Sequence, residues 1–415
     1  MPSVTILNRF DRTRLARLAD WLAVAVAASL PVSTSATGIL VVLWLLVLIP
    51  SLDLRELRQI VATPAAGLPV LLFLLGAVGM LWADVTWMAR LAGLESFFKL
   101  LVIPLLFVQF RRSERGLWVF GAYLAACIAI LLVSTGIFLW PGLWWDRHDF
   151  AVPVKNAATQ SGEFVTCIFG LLFIAVGYFE RRRWLWLLGL MAVAFGLLFN
   201  IFYVSTGRTA LAIIPVLLVL LAARKLSAKG AFIVFMGAIV VGVVVWLSSP
   251  YLRGRTIDVW TEIQKYEATD ERTSSGERIE FWKKSAEFVR EAPIIGHGTG
   301  AMHALFVKSA IGQTDTAGTA TTNPHNQTFA VAIQLGLVGA GVLWAMWIAH
   351  LLLFRGNGLA EWIGLVIVVQ NIVGSLFNSH LFDFVQGWVY VFGVGVAGGI
   401  ALKNRALEKS AGAAP

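Results

Sequence analysis

Long apolar stretches broken by short polar loops recur from Leu18 to Leu402. Most hold about 16 to 24 residues, close to the roughly 20 that a helix needs to cross a bilayer. Their positions predict spans at 18–33, 36–50, 66–83, 95–110, 116–139, 162–180, 184–203, 209–223, 230–247, 326–354, 359–378 and 382–402. Inside lipid the backbone must satisfy its own N–H and C=O groups, which such stretches do as helices. The pattern predicts an all-α polytopic membrane protein of about 12 transmembrane helices, one domain over 1–415, with a large, partly helical loop at 248–324 between the ninth and tenth spans.

Composition agrees, with 58% hydrophobic and 14% charged residues. The Lys and Arg residues add an orientation, because short cytoplasmic loops collect them. Arg55 and Arg58, then Arg111, Arg112 and Arg115, Arg181 to Arg183, Arg224, Lys225 and Lys229, and Arg355 fall in alternate loops. The tails add Arg9, Arg12, Arg14 and Arg17, and Lys403, Arg405 and Lys409, so 19 of 33 basic residues share one side. Both tails are thus expected in the cytoplasm and the 248–324 loop outside. The net charge of +9 sits mostly in these orienting loops, while the long outer loop balances nine basic against ten acidic residues. No nucleic-acid partner follows from such a distribution. Cys127 and Cys167 lie within apolar stretches and predict small packed side chains, not a bridge. The first stretch reads as an uncleaved span, although Ala23 to Ala28 keeps cleavage conceivable.

Two outer loops exceed a simple connection, and such loops are usually functional or disordered. In the first, Trp140, Trp144 and Trp145 read as interfacial anchors. Asp146, Arg147, His148, Lys155, Asn156 and Gln160 then form a polar group able to line the mouth of a site. In the second, Ser274-Ser275-Gly276-Glu277 reads as a capping box ahead of a helix over 277–291 that Pro293 ends. Ile279, Trp282, Ala286 and Val289 would be its inner stripe, and Glu280, Lys283, Lys284, Glu287 and Glu291 its solvated face. Arg278 sits in the expected first turn, where free amide groups and a guanidinium suit an anion. Gly296-His297-Gly298-Thr299-Gly300 reads as a tight turn returning the chain to the membrane.

Arg208 is wedged between two apolar stretches with almost no loop around it. An ionisable group there is functional unless it snorkels to the interface. Lys99 raises the same question inside its span, whereas Arg90 reads as interfacial. His325 precedes the tenth span directly, and the residues alone leave it as a base, a ligand or a helix cap. His297, His303 and His325 lack the short spacings of zinc sites, so no metal is expected. His380 and Asp383 share the short last outer loop, where Asp383 either orients a base, binds a sugar hydroxyl or caps a helix.

Together these residues resemble the O-antigen ligase and polymerase superfamily of bacterial envelope assembly. The ligase signature is His, then Asn, Ser or Gln, nine residues, Gly, two residues, and Gly, Thr or Tyr. Here it reads His325-Asn326, Gln327 to Leu335, Gly336, Leu337-Val338, Gly339. Upstream, Arg278, Trp282 and Pro293-Ile294-Ile295-Gly296-His297-Gly298 match a second pattern, and Gly207-Arg208-Thr209 a third. The resemblance implies a C-type glycosyltransferase-like architecture in the bacterial inner membrane with the active site facing the periplasm. It implies inverting, metal-independent transfer of a glycan from undecaprenyl diphosphate to lipid A-core oligosaccharide, without a cofactor. By the same resemblance Arg208 and Arg278 would hold the diphosphate and His325 would act as base, with Lys99, Lys155, Asn326, His380 and Asp383 as supporting candidates. Polymerisation of repeat units and protein glycosylation use the same parts. A transporter of the lipid-linked glycan is a further alternative, but it would place charges near mid-membrane and show repeated halves.

Overall fold

The computed structural model describes residues 12–143 and 150–412. Arg9, Trp144, Trp145, Asp146, Arg147 and His148 lie outside the described residues. The described chain is all helical: α1 (Arg12–Ser29), α2 (Thr34–Leu48), α3 (Leu54–Val61), α4 (Pro64–Gly79), α5 (Trp87–Phe98), α6 (Val102–Arg112), α7 (Gly116–Leu139), α8 (Ala157–Glu180) and α9 (Trp184–Phe199) form the first part. Then come α10 (Arg208–Lys225), α11 (Ala228–Ser248), α12 (Pro250–Thr269), α13 (Ser274–Glu291), α14 (Ala301–Ala310), α15 (Gln327–Leu353), α16 (Leu359–Gly374) and α17 (Phe384–Gly412).

Every expected span corresponds to a helix, but the helices are not alike. Among the described residues eight are long and apolar enough to cross a membrane, or nine if α3 and α4, bent by 88°, make one span. The four expected spans outside those eight are α1, α4, α10 and α16: α4 and α16 have 16 residues each, and α1 and α10 carry charged ends. The chain is a multi-pass membrane protein. Within it, 83% of the apolar stretch of α17 is buried and 6% of that of α11, so α17 is a central element and α11 a peripheral one. α17 lies along α6, α15 along α4, and α16 fits among α8, α10 and α17.

Polar contacts sort the loops to two ends. Arg111 and Arg112 pair with Glu56, Arg115 with Asp20, and Lys403 with Glu114. Arg224 donates to the carbonyls of Phe354, Arg355 and Gly356, and Arg405 to that of Leu353. These basic loops are the ones the sequence assigns to a single side. At the opposite end the 248–324 segment folds into α12, α13 and α14 against the bundle.

α12 does not rise away from that end. Ser249 Oγ donates to Phe202 O, and farther along the helix Glu262 binds Arg208 at the start of α10. α12 therefore lies across the bundle's outer surface. α13 packs its buried Phe281 and Phe288 with Phe306 of α14 and Ile333 of α15. The buried face is thus set by Phe281, Ser285 and Phe288, turned from the expected stripe, whose Ile279, Trp282, Ala286 and Val289 are only half-buried. Lys284, expected in solvent, is buried and donates to Ala317 O.

α15 is broken at Gly336, where the backbone takes φ 63° and ψ −163°. A break in a membrane helix frees carbonyls before it and amides after it, and these need partners. The 293–298 turn supplies four of them. His297 N–H donates to Ile333 O (2.9 Å) and Gly298 N–H to Gln334 O (2.9 Å), while Leu337 N–H donates to Pro293 O (2.8 Å) and Val338 N–H to Ile294 O (3.2 Å). A Cβ at Gly336 would lie 2.2 Å from Ile294 O, so only glycine permits both the dihedrals and the approach. The two glycine-bearing patterns of the sequence are one interlocked unit.

Candidate active site

Arg208 reaches its position through a close passage beside α8. After α9 the chain makes a wide turn at Asn200–Val204, and the Gly207 N–H then donates to Ser161 Oγ of α8 (2.9 Å). A Cβ on Gly207 would stand 2.9 Å from the Ala158 Cα, which accounts for glycine there. The guanidinium extends to α12 and binds both carboxylate oxygens of Glu262, at 2.9 and 3.1 Å. This is the forked geometry an arginine also offers a phosphate.

Glu262 accepts in addition from the N–H (3.0 Å) and hydroxyl of Ser275 at the start of α13. Hydrogen bonds from Arg208, then from Ser275, hold its carboxyl down at about 2, against the opposing effect of burial. This changes the expected use of the α13 terminus. The helix begins at Ser274 with Thr273 as cap, so Arg278 falls beyond the first turn. Thr273 takes the Gly276 N–H on its side chain and the Glu277 N–H on its carbonyl. The anion at this helix end is the chain's own Glu262.

Arg278 is half-buried and makes no hydrogen bond or ion pair among the described residues. Burial, and next the field of Arg208, draw its pKa below the usual guanidinium value, while Glu262 opposes them. Its own field reaches His325. Burial and then Arg278 lower the imidazole pKa from 6.5, and a hydrogen bond with Asn378 partly offsets this. The sequence-predicted Arg208, Arg278 and His325 thus form an electrostatically connected row.

His325 itself has φ 53°, a left-handed conformation that costs energy for a residue with a Cβ. An Asx turn imposes it: Asn323 Oδ1 accepts from the His325 N–H across Pro324 (2.9 Å). The ring stacks on Phe281 with planes 17° apart, and Trp282 Nε1 donates to the His325 carbonyl (3.4 Å). Nδ1 stands 3.1 Å from Asn378 Oδ1. Asn326, the next residue, caps α15 by accepting from Phe329 N–H, so His325 is left free of the cap role.

The supporting candidates divide. Lys99 donates to the carbonyls of Phe382 (3.2 Å) and Asp383 (2.8 Å), in a layer behind Gln327, whose Oε1 accepts from Leu381 and Phe382. Asp383 caps α17 through Val385 N–H. Lys155 binds Leu30 O and Glu163. His380 is buried with its ring against Gly374, and burial holds its pKa near 4. Among the described residues none of these four forms a hydrogen bond or ion pair with Arg208, Arg278 or His325.

Sequence reasoning missed Glu262, Asn323 and Asn378. The Asn323-Pro324 pair was a readable turn signal. Glu262 carried none, because α12 lacks a regular apolar stripe and its partner is 54 residues away.

Chemically, the site offers an unpaired guanidinium, a second one held by a carboxylate, and an imidazole whose protonation burial and Arg278 disfavour. It can hold an anion and accept a proton a short way from it. Residues 193–345 match the family model for O-antigen ligase, a stretch running from α9 into α15 that includes Arg208, Glu262, Arg278, His325 and Gly336. No curated protein matches the chain.

Proposed function

We propose that the chain, whose residues 193–345 match the family model for O-antigen ligase, belongs to the O-antigen ligase/polymerase superfamily and is an O-antigen ligase, moving a glycan from undecaprenyl diphosphate to lipid A-core oligosaccharide at the outer face of the bacterial inner membrane. The observation that carries this reading is the half-buried, unpaired Arg278 beside an imidazole whose protonation is disfavoured. A lipid diphosphate leaving group needs fixed cations at the membrane surface, and a sugar hydroxyl acceptor needs a base.

In the proposed step the acceptor oxygen attacks the anomeric carbon from the side opposite the diphosphate. The new C–O bond forms as the C–O bond to phosphate breaks, and its electron pair leaves on the diphosphate. The acceptor proton passes to His325. Charge growing on the leaving oxygens is stabilised by Arg278, and by Arg208 as the diphosphate takes over the place that Glu262 holds. The anomeric configuration inverts. Arginines fill the cationic role, so the reaction in this reading needs no metal ion.

The test is transfer by the purified full-length protein in EDTA, with undecaprenyl-diphosphate-linked glycan as donor and either lipid A-core or a second donor molecule as acceptor. Inverted product on lipid A-core, lost in His325→Ala, is expected. Product only as a lengthened carrier-linked glycan would assign a polymerase, and retained configuration would refute the displacement.

A further inference from the structure

The hydrogen bonds around His325 determine which of its ring nitrogens carries the proton. The reasoning starts at a group whose chemistry is fixed: the His325 backbone N–H can only donate. Its partner on Asn323, 2.9 Å away, must therefore be the amide oxygen. That orients the Asn323 side chain, so the atom it presents to Asn378 at 2.7 Å is its NH2 group. An NH2 group can only donate, so the Asn378 atom it meets is oxygen. The same oxygen stands 3.1 Å from His325 Nδ1. As an acceptor on that side it requires a proton on Nδ1, and a neutral imidazole then has its lone pair on Nε2. Flipping either amide sets two donors against each other.

We propose that Asn378, oriented by Asn323, is a positioning residue that holds His325 in its Nδ1–H tautomer and makes Nε2 the basic nitrogen of the transfer reaction. This rests on the reading of His325 as the base. Asn378 lies in the loop before α17, outside residues 193–345. It serves where an acidic partner is more familiar, and the difference has a purpose here. A carboxylate beside Nδ1 would favour the imidazolium, whereas an uncharged amide fixes the tautomer without holding a proton on the base at neutral pH. Arg278 is the charged group whose field reaches the ring; Asn323, Phe281 and Trp282 complete its surroundings and do not titrate.

The relay predicts opposite outcomes for two nearly isosteric substitutions. Asn378→Asp keeps an acceptor at Nδ1, so the tautomer survives and the negative charge raises the imidazole pKa. Asn323→Asp still accepts from the His325 N–H but turns an oxygen toward Asn378. The Asn378 amide then flips, donates to Nδ1 and moves the proton to Nε2.

The experiment is the pH dependence of glycan transfer by full-length wild type and both variants. In parallel, carbethoxylation of His325 by diethyl pyrocarbonate, which attacks neutral imidazole, is followed against pH by peptide mass spectrometry. For Asn378→Asp we expect the acid limb of kcat and the carbethoxylation midpoint to rise together, by about one pH unit, with kcat recovering to within a few-fold of wild type above the new limb. For Asn323→Asp we expect kcat to fall about 10- to 100-fold at every pH, with KM little changed. Asn378→Ala, which frees the ring, should lie between them. Equal effects of the two Asp variants, or an unmoved midpoint in Asn378→Asp, would overturn the relay. A wild type whose transfer survives His325→Ala would instead overturn the base assignment, while the carbethoxylation midpoints still report on the pairing with Asn378.

Discussion

Replacing Gly336 by alanine tests the interlock between the broken helix and the 293–298 turn. The added methyl group meets two independent obstacles. The dihedrals, φ 63° and ψ −163°, belong to a region that is essentially glycine's alone, at a cost of about 1–3 kcal/mol. The Cβ would also lie 2.2 Å from Ile294 O, so the turn must retreat. Retreat breaks the bonds from Leu337 and Val338 to Pro293 and Ile294 and those from His297 and Gly298 to Ile333 and Gln334, each worth roughly 0.5–1.5 kcal/mol. The sum is about 3–9 kcal/mol, focused on one joint. Alanine is also the best helix former, so a second route is open: α15 straightens, Leu337 and Val338 turn to carbonyls within their own helix, and His297 and Gly298 lose theirs. Both routes predict the same signature in hydrogen–deuterium exchange on protein in nanodiscs. The amides of His297 and Gly298 should lose protection together, alongside a lower unfolding temperature and strongly reduced transfer. Wild-type protection at those two amides in Gly336→Ala would refute the account.

Other expectations follow from the site's charges. Neutralising the cation in Arg278→Gln removes a field that disfavours the imidazolium, so the acid limb of the pH profile should move upward as activity falls; a downward or absent shift would contradict the reported row. Glu262→Gln should release Arg208 and make inorganic pyrophosphate a stronger inhibitor by a few-fold, read as a lower inhibition constant, while loosening the start of α13. His380 and His325 both have folded-state pKa values below their unfolded 6.5, the former near 4. Their neutral burial contributes fully above 6.5 and is lost as pH falls through the window down to about 4. Thermal unfolding should therefore occur at lower temperature at pH ~4.5 than at ~7, and the difference should shrink in His380→Gln.

The twelve apolar stretches were legible because a period-free run of lipid-compatible residues has few other uses, and each became a helix. What the pattern could not convey was inequality among them: α11 and α17 read alike, yet one is peripheral and the other central. The row of Arg208, Arg278 and His325 was visible as charges out of place at membrane edges. Their arrangement depended on Glu262, a residue with nothing unusual in its neighbourhood of sequence. The amide start of α13 misled for the same reason, since a carboxylate from another helix had already claimed it. Lys99 shows the converse: an out-of-place charge whose hydrogen bonds go to two backbone carbonyls.

The slight embedding of α11 has a mechanical corollary. Because only 6% of the apolar stretch of α11 is buried, against 83% of that of α17, packing constrains its tilt far less, and a span so lightly held accommodates bilayer thickness by tilting. It runs directly into α12 through Ser249, and α12 carries the carboxylate that sits on Arg208. α11 and α12 are thus joined end to end, one at the edge of the bundle and the other reaching Arg208. A change in the tilt of α11 would therefore be passed to Arg208 through Glu262, whereas the bonded joint at Gly336 lies on a different helix.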